Sequence, residues 1–247
     1  MALVTRDRVY LGSLSLRRVR LMSLRRLLPF PIWPKLLLLV SLLLLGIARA
    51  ALADAAMADE TPIIASVTRL RGEAAVEGGE GKREGGRALA LGSPLVLGDV
   101  LVTGADGRLE ITFIDGTLVT LGEQARLTID QWLYDPASQK GRGLLSVASG
   151  AFRVVTGGLG RQADHSFAVR TPYATIGIRG TDFWGGPLDD PFNVLLLQGR
   201  VVLTTPDGEV ELTPGLGTEI RAMGRAPEAP HVWSAERVQR AIATVTF

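Results

Sequence analysis

The chain has 247 residues, enough for one domain with a sizeable core or for two small domains. Its formal net charge is +2 at pH 7, and it contains no cysteine. The lack of cysteine excludes a cysteine nucleophile, a cysteine-based zinc site and a lipidated cysteine.

The first 53 residues have the composition of a secretory signal peptide. Residues 1–35 carry eight basic side chains and one acidic one, and thirteen uncharged residues follow at 36–48. Small residues in Ala-x-Ala spacing end the segment, so this order predicts a signal peptide over 1–53 and a periplasmic protein. The alternative is an uncleaved inner-membrane anchor, although thirteen helical residues span only about 20 Å of a core roughly 30 Å thick. Met1 and Met22 are alternative start codons.

Removal of the signal reverses the sign of the net charge. The part after residue 53 keeps 18 basic and 24 acidic side chains, and 18 − 24 gives −6. A nucleic-acid-binding domain normally carries a basic patch or stripe, and this part of the sequence offers none. We therefore expect no nucleic-acid partner, and membrane contact only through an uncleaved N-terminal segment.

After a short linker at 54–62, residues 63–223 have the pattern of an all-β domain. Runs of four to eight residues alternate with Gly, Asp-Gly and Pro at a spacing of about 8–12 residues. In the run 107–122, Leu109, Ile111 and Phe113 share one face, which is the period of a half-buried strand. The predicted strands are Ile63–Arg71, Leu95–Val102, Leu109–Phe113, Thr117–Leu121, Arg126–Asp130, Leu144–Val147, Ala151–Val155, Ser166–Arg170, Thr175–Arg179, Val194–Leu197, Val201–Thr205, Glu209–Leu212 and Gly217–Arg221.

Polar segments separate some of these strands. Residues 77–87 and 135–141 are predicted surface loops, and 224–230 is a Pro-rich linker. Beyond that linker, Ser234 can cap a short C-terminal helix with an apolar stripe. The stripe consists of Ala235, Val238, Ile242 and Val245. We expect residues 224–247 to pack on the β domain or to act as a lever towards a partner.

Three sequence motifs in the β region, taken together, are specific to one protein family. The first, Leu-x-x-Gly-Asp-x-Leu-x-Thr-Gly, contains Gly98, Asp99, Thr103 and Gly104. The second, Phe-x-Asp-Gly-Thr, contains Asp115, Gly116 and Thr117. The third, Thr-Pro-x-Ala-x-x-Gly-Ile-Arg-Gly-Thr-Asp-Phe, contains Thr171, Pro172, Arg179, Gly180 and Thr181. In this order they make residues 65–221 resemble the FecR-type periplasmic domain.

The resemblance implies an exported all-β domain, similar to a solenoid-like coil of short strands in which Asp-Gly marks corners between rungs. A β-sandwich remains the alternative, because both folds give short strands punctuated by glycine. Well-known members of the family pass a signal across the membrane to a cytoplasmic sigma factor. They carry a helical anti-sigma domain before the membrane segment, and the roughly 35 residues before the apolar run here do not resemble one. The resemblance therefore does not imply that this chain regulates a sigma factor.

The residues indicate no catalytic, cofactor or metal site. The sequence has two histidines, His165 and His231, and no Gly-x-Ser-x-Gly nucleophile elbow, so we expect no enzyme. Asp182, Asp189 and Asp190 lie near Asn193 and could offer oxygen ligands to Ca²⁺. Their spacing is not that of the twelve-residue calcium loop, and Asp-Asp-Pro is common in turns.

Aromatic and acidic residues near strand ends are the candidate interaction surface. These residues are Trp132, Tyr134, Phe183, Trp184, Asp189 and Asp190. Aromatic rings in loops can bind a partner's apolar side chains or stack on sugars, and they can equally pack at the edge of the core. Two functions are therefore open: an exported sensory or binding module with an envelope protein partner, and a cell-envelope glycan-binding module.

The break Arg179-Gly180-Thr181-Asp182 is predicted to be a corner of the fold. Gly180 permits the turn, and Thr181 or Asp182 can close it by bonding nearby backbone amides. We expect Arg179 to form an orienting salt bridge.

Overall fold

The computed structural model describes residues 61–77, 86–161 and 167–247. The predicted signal peptide (1–53), residues 54–60 of the linker, most of the loop 77–87 and His165 lie outside the described residues. The described residues belong to one compact unit, Thr61–Phe247.

Within these residues the chain forms sixteen β-strands, a 3-10 turn at Leu159–Arg161 and one α-helix, α1, at Ala235–Ala243. The prediction of a mostly β protein with a short C-terminal helix is confirmed. The strands are β1 (Ile63–Arg71), β2 (Ala74–Glu77), β3 (Arg87–Ala88), β4 (Pro94–Val96), β5 (Val100–Thr103), β6 (Arg108–Phe113), β7 (Leu118–Leu121), β8 (Arg126–Asp135), β9 (Lys140–Ser149), β10 (Phe152–Val155), β11 (Phe167–Arg170), β12 (Thr175–Gly186), β13 (Phe192–Thr205), β14 (Gly208–Leu212), β15 (Leu216–Ile220) and β16 (His231–Val232).

The described strands form one hydrogen-bonded sheet with two arms that meet at β12. One arm runs β4-β1-β6-β7-β10 and joins the second half of β12. The other runs β3-β2-β5-β8-β9-β11 and joins the first half of β12. Strand β13 lies along both halves and extends the sheet to β14 and β15. The result is a curled half-barrel.

The strand pairing corrects one expectation drawn from the solenoid. Among the described strands the pairs are antiparallel, with β9 and β11 as the parallel exception. Asp115-Gly116 and Asp207-Gly208 both close antiparallel hairpins, β6 with β7 and β13 with β14. Asp-Gly between alternating strands is a strong hairpin signal, and the chain follows it. The placement of Asp-Gly at corners between solenoid rungs is therefore wrong at these two turns.

The two arms enclose an apolar core. Phe113 of the first arm stacks on Trp132 of the second, with ring centroids 3.6 Å apart, and Phe167 packs edge-on against Trp132. The predicted period in β6 is confirmed, because Leu109 and Ile111 are completely buried together with Phe113. Alternation along a strand thus selects the face that closes the half-barrel.

The break after Arg179 is a bend within one long strand. The register between β12 and β13 shifts between Arg179 and Phe183, and β12 continues to Gly186. Gly180 has φ +58°, and Gly199 opposite it in β13 has φ +83°. The predicted strand end at Arg179 is wrong, since the two glycines let both strands pass through the bend and serve both arms.

Helix α1 begins at Ser234, whose hydroxyl accepts the amide of Arg237, as the capping signal predicts. Its most buried residue is Ala241, whereas Val238 and Ile242 remain half-buried and Ala235 is exposed. No helix in the described part of the chain is long and apolar enough to cross a membrane.

Candidate functional site

The residues of the first motif stabilise turns. Gly98 has φ +83° in the turn between β4 and β5, and the Asp99 carboxylate accepts the last amide of β4 at 3.0 Å. The Thr103 hydroxyl donates to the carbonyl of Gly122 at 2.7 Å, while the Gly104 amide donates to the turn between β1 and β2. These residues satisfy backbone groups and leave no side chain free for a ligand.

The second motif forms a partly buried hydrogen-bond network. The Asp115 carboxylate accepts the Thr117 hydroxyl at 2.7 Å and the Leu159 amide at 2.9 Å. The Thr117 oxygen accepts the Gly157 amide at 2.9 Å, and the residue is fully buried. Gly116, with φ +82°, allows the turn. The network ties the β6–β7 hairpin to the chain that follows β10.

The third motif begins with a tight turn. The Thr171 hydroxyl accepts the amides of Tyr173 and Ala174 at 3.2 and 3.0 Å. Its own amide donates to the carbonyl of Ala174 at 2.9 Å. Pro172 lies in this turn and is exposed. The first residues of this motif therefore form the turn that leads into β12 and do not offer a binding group.

Arg153 forms the ion pair at the bend. Its guanidinium donates two hydrogen bonds to Asp182, at 2.8 and 2.6 Å, and this contact raises the pKa of Arg153. The Thr181 amide donates to the hydroxyl of Thr156 at 2.8 Å. Arg179 is exposed and makes no ion pair with a described residue, and the ion pair at the bend is formed by Arg153 instead.

Three of the predicted surface aromatics are in the interior. Phe183 and Trp184 are 0% exposed and Trp132 is 5% exposed, so the expectation that their side chains form a surface is wrong. Trp184 packs edge-on against Trp233, and its indole donates to Thr244 at 3.0 Å. These aromatic side chains instead pack at the edge of the core, where they join the two arms to each other and to α1.

Tyr134 has an intermediate exposure and packs against the core beside Gly158. A side chain at Gly158 would collide with the Tyr134 ring, so the backbone approaches the ring closely. Tyr134 is therefore partly accessible but not part of an open aromatic face.

The acidic loop after Trp184 is neutralised by the C-terminal helix. Arg240 donates to both oxygens of Asp189, at 2.7 and 2.8 Å, and lowers the pKa of Asp189. Asp190 lies 3.5 Å from Arg221. The side-chain oxygen of Asn193 accepts from Arg237 at 2.9 Å. Among the described residues, no group of three His, Asp or Glu side chains is placed to hold a metal ion.

Arg237 is the centre of this contact. Its guanidinium lies 2.5 Å from the Glu219 carboxylate and 4.0 Å from the centre of the Trp233 ring. It is 3.4 Å from Asp189, and the ring of His231 lies 3.5 Å from Glu219. Sequence reasoning missed Arg237, because its partners come from distant segments. The only signal was the spacing of two arginines, three residues apart, in a helix opposite an acidic loop.

A groove runs between α1 and the end of β1, with a volume of 640 Å³. It is lined by Arg71, Val238, Gln239, Ile242, Ala243 and Phe247. The Arg69 guanidinium lies 4.1 Å from the centre of the Phe247 ring and supports that wall. In this groove Val238 and Ile242 remain partly in contact with solvent.

Residues 99–202 match the sequence profile of the family described as FecR protein. This stretch includes most of the three motifs and the bend between the two arms. The match over these residues agrees with the resemblance that the sequence motifs predict. No curated protein sequence matches the chain.

Two solved structures from Parabacteroides distasonis ATCC 8503 are similar to the chain. Both are described as a "putative anti-sigma factor" and are 17% identical in sequence, with TM-scores of 0.44 and 0.43. In each case the similarity covers 57% of this chain and 62% of the other. The chain thus spans less than two thirds of the length of the structures that it matches.

Proposed function

We propose that the chain is an exported FecR-type module that makes protein–protein contacts in the cell envelope as part of signal transduction. The FecR family supports a regulatory role in signalling. The N-terminal composition supports export to the periplasm. On this proposal the protein acts by binding an envelope protein and catalyses no reaction.

The observation that carries the proposal is the surface of α1. Val238 and Ile242 lie one helical turn apart and are only half-buried. The helix itself is fixed to the FecR domain through Trp184 and Arg237. An anchored helix that keeps aliphatic side chains at the surface is typical of a site that receives a partner.

The glycan-binding alternative depends on aromatic rings that can stack on a sugar. Trp132, Phe183 and Trp184 are buried and offer no such ring face, and Tyr134 is only partly accessible. The protein-binding function is therefore the better supported of the two.

The test is capture from a cell-envelope fraction with the purified full chain. We expect one envelope protein to be retained, and Ala243→Lys to abolish retention because the lysine occupies the groove. Ala235→Lys is the matched control, since it makes the same change at an exposed position of α1 outside the groove. Retention on peptidoglycan alone would favour the glycan alternative, and retention of neither would contradict both.

A further inference from the structure

We propose that the groove beside α1 binds a short apolar peptide segment that carries a carboxylate, and that Arg71 pairs with this carboxylate. The inference rests on the proposed function and specifies the chemistry of the partner. It concerns a surface outside residues 99–202, since the groove combines β1 with the C-terminal segment.

The apolar part of the groove has two walls. Val238 and Ile242 of α1 form one wall, and the ring of Phe247 lies in the other. Ala243 between them is small, so the floor near it is open to a ligand side chain. Aliphatic residues of a partner that enter this space would remove apolar surface from water on both sides, which favours association.

Arginine side chains supply the basic charge at the groove. Arg71 lines the groove, and Arg69 lies against Phe247. Neither arginine forms an ion pair with a residue in the described ranges 61–77, 86–161 and 167–247. The side chains that line the groove include no carboxylate. An incoming carboxylate would therefore meet a guanidinium that has several donors and no ion pair with a described side chain.

The neighbouring arginines show the contrast. Arg237 and Arg240 lie on the same helix, and both are already paired, with Glu219 and Asp189 respectively. These pairs fix the helix to the domain. Arg71 differs because its charge is left for an external group.

The open shape favours a peptide over an enclosed small molecule. Sites for small ligands bury most of the ligand surface in a cavity. Here Val238 and Ile242 lie at i and i+4 on the same side of α1, so successive side chains of an extended segment can contact both. A segment with two aliphatic side chains and one acidic side chain matches both halves of the groove.

The experiment titrates the purified full chain with two blocked pentapeptides and follows backbone amide shifts by NMR. One peptide alternates leucine with glutamate, and the other alternates leucine with lysine. We expect the glutamate peptide to bind with a Kd below about 1 mM and roughly five- to tenfold more tightly than the lysine peptide. The shifts should fall on residues 238–247 and on Arg71.

Arg71→Glu should reverse the preference between the peptides. Arg179→Glu is the matched control, because Arg179 is also exposed and lies outside the groove, and it should leave the preference unchanged. Equal affinity for the two peptides, shifts elsewhere, no effect of Arg71→Glu, or no binding would each overturn the inference.

The outcomes separate this inference from the proposed function. Capture of an envelope protein that is lost with Ala243→Lys but insensitive to Arg71→Glu would uphold the proposed function and overturn the peptide chemistry. Binding of the glutamate peptide in the groove without capture of an envelope protein would uphold the groove chemistry and contradict the proposed function.

Discussion

Gly199 faces the carbonyl oxygen of Gly180 at the bend shared by β12 and β13, and a Cβ atom on Gly199 would overlap that oxygen. Both glycines have positive φ. The family motif around Gly180 is therefore conformational in its role: it allows one pair of strands to serve both arms of the sheet.

Gly199→Ala should destabilise the protein more than Gly116→Ala. Both substitutions place a side chain at positive φ, which costs about 1–2 kcal/mol, but Gly116 has open space around its Cβ position. The collision at Gly199 should add about 1–3 kcal/mol. Urea denaturation of the two variants measures the difference, and equal losses would contradict the close approach of β12 and β13.

Thr117→Val should lower the free energy of unfolding by about 1–3 kcal/mol, because it removes the hydroxyl bond to the Asp115 carboxylate and leaves the Gly157 amide without its acceptor. Thr112→Val is the control, since the Thr112 hydroxyl bonds only at the surface. That change should stay within about 0.5 kcal/mol. If both variants unfolded at the same denaturant concentration, the network would not have the structural role assigned to it.

Arg237→Met should destabilise the protein by about 3–5 kcal/mol, because it leaves the Glu219 carboxylate buried without its guanidinium. The double variant Arg237→Met/Glu219→Gln should recover part of this loss, since the remaining group is neutral. A double-mutant cycle by denaturation measures the coupling. Strict additivity of the two changes would show that the pair does not fasten α1.

The ion pair between Asp189 and Arg240 predicts a dependence of stability on pH. Arg240 lowers the pKa of Asp189 below its ordinary value of 3.8, so folding favours the ionised carboxylate. This contribution is present above the ordinary pKa and is lost as the pH falls through the folded pKa. Asp189→Asn should therefore flatten the fall in unfolding free energy below about pH 4. Asp135, whose pKa is also lowered, accounts for slope that remains; an unchanged slope would contradict the pair.

Local patterns in the sequence predict the elements that depend on neighbouring residues. The alternation in β6 and the Ser234 cap both appear as expected. The predicted strands Val194–Leu197 and Val201–Thr205 leave Gly199 between them, but β13 passes through it. A glycine that ends a strand and a glycine that bends one give the same local signal.

Long-range packing explains the features that the sequence could not predict. Trp184 follows a polar turn, so it resembles a surface aromatic until Trp233 and Thr244 cover it. Arg153 forms its ion pair with Asp182 because β10 pairs with the second half of β12. Neither contact can be read from spacing along the chain, because the partners lie 29 to 60 residues apart.

The most direct test of the central claim, that the α1 surface contacts an envelope protein, is photo-crosslinking in the cells that produce the chain. A crosslinking amino acid at Gln239 places the reactive group in the groove, and the same amino acid at Ala235 places it on α1 outside the groove. We predict one discrete crosslinked protein from position 239 and none from position 235. No crosslink from position 239, or the same products from both positions, would contradict the claim.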